Sequence, residues 1–200
     1  MDQEFWDERY RTSELIWTAT PNQFLVEETA GLTPGLALDL ACGEGRNAVW
    51  LAEQGWAATG SDFSQVALDK GVALAAARDV DVTFEQHDAT TWAPAPTFDL
   101  VAVFYLQLPM DGRRFALANA VAGVAPGGTL LVVAHDLENL TAGVGGPQSA
   151  DVLYTVAETV SLVETLGLSI VRATQVRRTV ATPDGGREAI DTLVRAVRPS

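Results

Sequence analysis

Runs of apolar residues, broken by short polar turns, divide this chain into alternating segments. LALDL (36–40), AATGSD (57–62), DVTFEQ (81–86), FDLVAVFY (98–105) and GTLLVVAH (128–135) are short and apolar, as strands buried in a parallel sheet are. Between them NAVWLAEQ (47–54), SQVALDKGVALAAA (64–77), RRFALANAVAGV (113–124) and TVAETVSLVETL (155–166) carry apolar residues at helical spacing. Alternation of this kind predicts an α/β fold, a mostly parallel sheet with helices on both faces. Ser64 suits the N-cap of the second of these helices, and Thr155 with Glu158 suits a capping box on the last.

The ends of the chain depart from the pattern. LSIVRATQVRRTV (168–180) and REAIDTLVRAVR (187–198) are β-like runs separated by ATPDGG, turn chemistry that predicts an antiparallel hairpin. Residues 1–35 are rich in Trp, Tyr and Phe and read as two helical pieces broken at Pro21, placed to lid the carboxyl edge of the sheet. Residues 136–151 form a long Gly-rich stretch, either a substrate cover or a plain connector. The expected organisation is one domain over 1–200: lid 1–35, cofactor-binding core 36–135, substrate loop 136–151, and last helix with hairpin 152–200.

Charge and composition narrow the function. With 26 acidic against 13 basic residues the net charge is −13, which opposes binding to a phosphate backbone, so no nucleic-acid partner is expected. MDQEFWDERY lacks the basic start and apolar core of a secretion signal, and no apolar run is long enough to span a bilayer; a cytoplasmic protein without a membrane partner, monomer or homodimer, is expected. The single cysteine, Cys42, and two distant histidines, His87 and His135, argue for no metal site.

The chemistry concentrates in LALDLACGEGRNAVWLA (36–52). Gly43 and Gly45 permit a tight turn and close approach of a ligand to backbone, and the helix start behind them favours an anionic group. With Ala48 they also fit a dinucleotide fingerprint, which keeps an NAD-linked oxidoreductase in view. Asp39 lies inside the strand, where a buried acid needs a partner such as a ligand ammonium group. Asp62, seventeen residues after Gly45, is placed to take both hydroxyls of a ribose. Asp88 is placed to receive an adenine amino group, with the Ala89 N–H on a ring nitrogen and Phe63 over a ring face.

LDLACGEGRNAVWLA, GSDFS, HDATTW, FDLVAVFY and VAPGGTLLVVAH resemble, in order, the motifs of class I S-adenosylmethionine-dependent methyltransferases. FWDERY, WTATPNQFL and GEGRN resemble the small-molecule branch that includes tellurite-resistance-type and thiopurine-type enzymes. The resemblance implies a Rossmann-like sheet of seven strands, S-adenosyl-L-methionine as cofactor, and methyl transfer to a small molecule. It further implies that Asp39 and the Ala41 carbonyl hold the methionine amine, helped by the Phe104 carbonyl, that the Gly43 and Gly45 loop runs beneath the cofactor, and that Trp17 closes over it. Arg46 and Asn47 either serve the methionine carboxylate or cap the loop. Ala41 stands where glycine is commoner, and alanine is expected to leave the turn intact.

Methyl transfer by in-line displacement needs alignment and exclusion of water, and a base only when the acceptor arrives protonated. FYLQLP after the fourth strand lacks the (Asp/Asn)-Pro-Pro-(Tyr/Phe) signature of amine methylation on bases or glutamine, and Cys42 reads as a small buried residue. His135, with Asp136 beside it, and Tyr105 are the candidate catalytic residues; Gln107, Arg9 and Tyr10 are secondary pocket candidates. A third class, a noncatalytic S-adenosylmethionine-binding protein, would keep the cofactor loop without an acceptor site.

Overall fold

The computed structural model describes residues 3–11, 15–16, 18–182 and 185–200. Its elements in order are α1 (Gln3–Arg11), α2 (Gln23–Thr29), β1 (Leu36–Leu40), α3 (Arg46–Glu53), β2 (Ala57–Asp62), α4 (Gln65–Ala77), β3 (Val82–Gln86), β4 (Phe98–Phe104), α5 (Met110–Gly123), β5 (Val124–His135), α6 (Asn139–Ala142), α7 (Val156–Thr165), β6 (Ser169–Thr182) and β7 (Gly185–Val197). The seven strands form one sheet in the order β3-β2-β1-β4-β5-β7-β6. The first five pair in parallel, and β7 enters antiparallel between β5 and β6. The alternating segments and the C-terminal hairpin are where the hydrophobic pattern puts them.

Two expected boundaries move. The fifth strand starts at Val124, because Val124 pairs with Phe98 before a register shift across the Pro126–Gly128 stretch returns Thr129 to Leu100. The Gly-rich stretch 136–151 is built rather than open: it holds α6 and a 3-10 turn at Ala150–Val152, with Asn139 Nδ2 donating to the carbonyls of Val144 and Gly145. Both capping expectations hold: Ser64 accepts from the Ala67 N–H, and Thr155 accepts from the Glu158 N–H.

Side-chain alternation divides the core. Leu38, Leu40, Val101, Val103, Leu130 and Val132 pack with α5 and α7 on one face, while Ala37, Leu100, Ala102, Phe104, Leu131 and Val133 pack with Phe24, Leu25 and Leu51 on the other. Within the expected lid, α2 therefore belongs to the core, since Phe24 and Leu25 are buried against the sheet. Of the two helices, α1 is the one that lies over the carboxyl edge.

Phe84 of β3 fixes the geometry beneath the first turn. Cβ atoms added at Gly45, Gly60 and Gly71 would each fall within 2.7–2.8 Å of its ring. Three glycines from α3, β2 and α4 regions make one aromatic slot, so α3 and α4 seat closely on the sheet. Gly60 has no positive φ to complicate the test. Gly60→Ala should destabilise the protein by about 1–3 kcal/mol through overpacking against Phe84 and the Cys42 sulfur, measured by urea denaturation. Unchanged stability would show that the slot yields freely.

Candidate active site

The chain leaves β1 through a turn with three left-handed residues in five: Ala41 at φ 59°, Gly43 at 54° and Gly45 at 76°. The Cys42 N–H donates to the Ser61 carbonyl at 2.9 Å and the Gly45 N–H to the Cys42 carbonyl at 3.0 Å. The turn is intact with alanine at 41, but a residue with a Cβ in this region costs about 1–2 kcal/mol, which is the physical reason glycine suits the position. Asp62 clamps the turn: its Oδ2 accepts from the Gly43 N–H and its Oδ1 from the Ser64 N–H, both at 2.9 Å. Burial raises the Asp62 pKa, with those backbone bonds opposing.

Asp39 is the unusual group. Its cross-strand neighbours are Gly60 on β2 and Ala102 on β4, which offer no polar side chain. It is 1% exposed, and neither carboxylate oxygen has a hydrogen-bond partner among the described residues. Burial raises its pKa from 3.8 to about 7, with Arg46 pulling the other way and the Ala48 N–H near but outside bonding geometry. A buried carboxylate in that condition is costly unless a cation meets it.

The other predicted positions are spread along the same edge. Asp88 is exposed, and its Oδ1 accepts from the N–H and hydroxyl of Thr90, both at 2.7 Å, so one oxygen is engaged in its own turn. Ala89 is buried with its carbonyl held by Asn119, and Phe63 is half-buried with its carbonyl held by Gln86. Beside them His87 stacks on Trp92, with ring centroids 4.1 Å apart and planes 6° from parallel. Phe104 is buried at the end of β4. Trp17 lies outside the described residues. Of the two roles open to Asn47, its Oδ1 accepts from the Asn22 N–H, holding the chain ahead of α2.

Helix α1 rests on this edge. Asp7 bonds Ser64, the Tyr10 hydroxyl lies 2.9 Å from where a Gly43 Cβ would stand, and Trp6 stacks on Tyr10 at 5.6 Å. Arg9 lies over the Trp6 ring at 5.4 Å on the exposed side of the helix. The glycine at 43 thus admits Tyr10, and that at 45 admits Phe84, a packing role that the reading of the loop as a ligand cradle did not include.

A second cluster sits over β4, β5 and β7. The His135 Nδ1 is 3.0 Å from Asp191 Oδ1, and Asp191 Oδ2 accepts from the Tyr105 hydroxyl and the Arg178 Nε–H, both at 2.8 Å. Asn22 Nδ2 donates to the Tyr105 hydroxyl at 3.2 Å, and the rings of Tyr105 and His135 are 4.7 Å apart. Burial, then Asp191, raise the Tyr105 pKa. Asp136 is not in this cluster; it accepts from the Glu138 N–H and Gln175 on the opposite side of the strand. Asp191, Arg178 and Asn22 escaped the sequence reading, although Asp191, like Asp39, is an acid flanked by apolar residues within a strand-like run. Among the described residues no cluster of His, Cys, Asp and Glu is arranged to hold a metal, and no helix is long and apolar enough to cross a membrane.

Comparison with known proteins adds four findings. Residues 37–128 match the methyltransferase domain family. A 2-heptyl-1-hydroxyquinolin-4(1H)-one methyltransferase from Mycobacteroides abscessus is 28% identical over 127 residues, 62% of this chain and 55% of the relative, so the similarity spans about half of that protein. A structure solved in a study of the conversion of a disulfide bond into a thioacetal group during echinomycin biosynthesis superposes with a TM-score of 0.78 at 24% identity, covering 98% of this chain and 92% of the other. Magnesium protoporphyrin IX methyltransferase from Synechocystis PCC 6803, solved with bound SAH, superposes with a TM-score of 0.65 at 17% identity, covering 98% and 83%.

The state of Asp39 has a measurable consequence. Its folded pKa of about 7 lies above the ordinary 3.8, so the folded protein keeps this proton to higher pH than the unfolded chain, and stability is lost as pH rises between those values. Asp39→Asn removes that loss. At pH 8 the ligand-free variant should be more stable than the natural protein by about 2–4 kcal/mol, with the difference vanishing toward pH 4. Denaturation at the two pH values checks it, and a gap that does not depend on pH would refute the assignment.

Proposed function

We propose that this chain, which has a Rossmann-like fold and matches the methyltransferase domain family over residues 37–128, is a class I S-adenosylmethionine-dependent methyltransferase that transfers a methyl group from S-adenosyl-L-methionine to a small organic acceptor. The observation that carries the proposal is Asp39, a buried carboxylate beside the glycine turn with no hydrogen-bond partner among the described residues. The ammonium of the cofactor's methionine moiety is the cation it lacks. NAD carries no ammonium group, and the part of it that meets such a glycine turn is an anionic pyrophosphate; nothing in the comparisons favours that alternative. The donor set fits the group: Asp39 and the Ala41 and Phe104 carbonyls take the ammonium, and the spare lone pairs of Asp62 take the ribose hydroxyls. The free oxygen of Asp88 and the Ala89 N–H take the adenine edge, with Phe63 against a ring face.

When bound, S-adenosylmethionine supplies an electrophilic methyl carbon on a sulfonium. The residues at the ends of β1, β2 and β4 would bind and orient it and keep water from the reacting line. Helix α1, with Tyr10 against the turn, serves as the cover. The acceptor stands over β4 and β5, where His135 and Tyr105 face it. A small neutral or cationic acceptor suits the net charge of −13 better than a polynucleotide, and the hydroxylated heteroaromatic named for the Mycobacteroides relative is the first acceptor to try. A cytoplasmic monomer or homodimer completes the proposal.

Calorimetry with S-adenosylhomocysteine and NADH in parallel tests it. S-adenosylhomocysteine should bind in the micromolar range and NADH should give no saturable heat. Because the ammonium needs Asp39 ionised, affinity should fall by roughly tenfold per unit of pH below about 7 and level off above it, with one proton released on binding near pH 6. Saturable NADH binding without S-adenosylhomocysteine binding would overturn the proposal. Asp62→Ala removes both the ribose acceptor and the clamp on Gly43, so it should weaken S-adenosylhomocysteine binding by about 1.5–3 kcal/mol and also lower the melting temperature. Unaltered affinity in a folded variant would mean that another acid holds the ribose.

A further inference from the structure

His135 and Asp191 are directly opposed residues of the antiparallel β5–β7 ladder, so their contact is set by strand register. Asp191 is fully buried, and its two oxygens receive three groups: Tyr105 and Arg178 on Oδ2 and His135 on Oδ1. Arg178 is a permanent cation, which keeps Asp191 a carboxylate and therefore an acceptor only. The proton in the His135–Asp191 contact must then sit on Nδ1, leaving the Nε2 lone pair unprotonated in the neutral ring. Nε2 has no hydrogen-bond partner among the described residues, and the side chain is 12% exposed. Gly146, at φ 73°, lies flat on the imidazole: a Cβ there would come within 3.0 Å of three ring atoms. The 143–149 segment thus roofs the ring. Gln107 accepts from the His135 backbone N–H and donates to the Val152 carbonyl, which ties the end of β5 to the 3-10 turn that follows that roof.

Resting on the methyltransferase reading above, we propose that His135 is a general base, oriented by Asp191, and that the acceptor is a hydroxyl compound that arrives protonated. Nε2 takes the hydroxyl proton as the acceptor oxygen bonds to the methyl carbon; the carbon–sulfur bond breaks with its electron pair remaining on sulfur. The products are a methyl ether, a neutral thioether cofactor and an imidazolium, which Asp191 stabilises until it returns its proton to solvent. Tyr105 is a positioning residue. Its hydroxyl is committed to Asp191, so it holds the carboxylate rather than removing protons. The charged and titratable groups that face His135 are Asp191 from β7, Tyr105 after β4 and, through Asp191, Arg178 from β6; Arg46 of α3 interacts with Tyr105.

Two measurements test this. The first needs neither cofactor nor acceptor: nitrogen-15 NMR of the ligand-free protein at pH 8, with His87→Gln leaving one histidine to observe. The neutral ring should carry its proton on Nδ1, and Asp191→Asn should disturb that preference. A proton on Nε2 in the otherwise natural protein would overturn the proposal. The second is methyl transfer to phenols graded in acidity from 4-methylphenol to 4-nitrophenol, with benzenethiol beside them. His135→Gln should lose about 100-fold or more on 4-methylphenol, progressively less toward 4-nitrophenol, and little on the thiol, which ionises unaided. With S-adenosylmethionine kept saturating at every pH, so that the ionisation of Asp39 does not enter, the natural enzyme's rate on 4-methylphenol should rise with pH through an ionisation that is absent from the variant. Equal losses across the series, turnover of the thiol alone, or turnover of none of these acceptors would overturn the assignment. Binding of S-adenosylhomocysteine separates the two levels: if it persists, only the base and acceptor class are wrong, and if it is absent the wider reading falls as well.

Discussion

Parallel pairing of β1 between β2 and β4 is the constraint on which the rest of this molecule depends. It brings the carboxyl ends of three strands to one edge and sets Asp39 between Gly60 and Ala102. Small neighbours let the three strands pack with helices on both faces, yet they offer Asp39 no polar side chain across the ladder. The same register that makes a tight core therefore leaves a buried carboxylate uncompensated. A protein tolerates such a group when something outside the chain restores the balance.

Around that acid the chain has little freedom. Asp62 bonds two backbone N–H groups on either side of the edge, the Phe84 ring is wedged among three glycines, and Tyr10 fills the space that a side chain at 43 would take. These contacts make the glycine turn rigid. Rigidity suits a reaction whose barrier is lowered chiefly by holding two partners in line.

The C-terminal hairpin completes the other half of the edge. By entering between β5 and β6, β7 brings Asp191 opposite His135, and β6 then supplies Arg178 to the same carboxylate. Two buried strand acids thus have opposite fates. Among the described residues Asp39 has no hydrogen-bond partner, whereas Asp191 has three, and the difference lies in the neighbouring strands: glycine and alanine around the first, histidine and arginine around the second.

The amino-acid sequence by itself determined the order of strands and helices, the caps at Ser64 and Thr155, the hairpin, and the positions of Asp39, Asp62 and the glycine turn, because these follow from local periodicity and turn chemistry that act over a few residues. It did not reveal the separate fates of the two N-terminal helices, since Phe5 and Phe24 read alike along the chain and only packing leaves the first exposed and buries the second. Nor did it reveal the second purpose of Gly45, which depends on a ring 39 residues away on β3. The His135–Asp191–Tyr105 cluster was half legible: two members were candidates, but the carboxylate that organises them lies 56 residues from His135. A lone acid in a strand announces that it needs a partner; which partner it finds is decided by strand order and register, and these are properties of the assembled sheet.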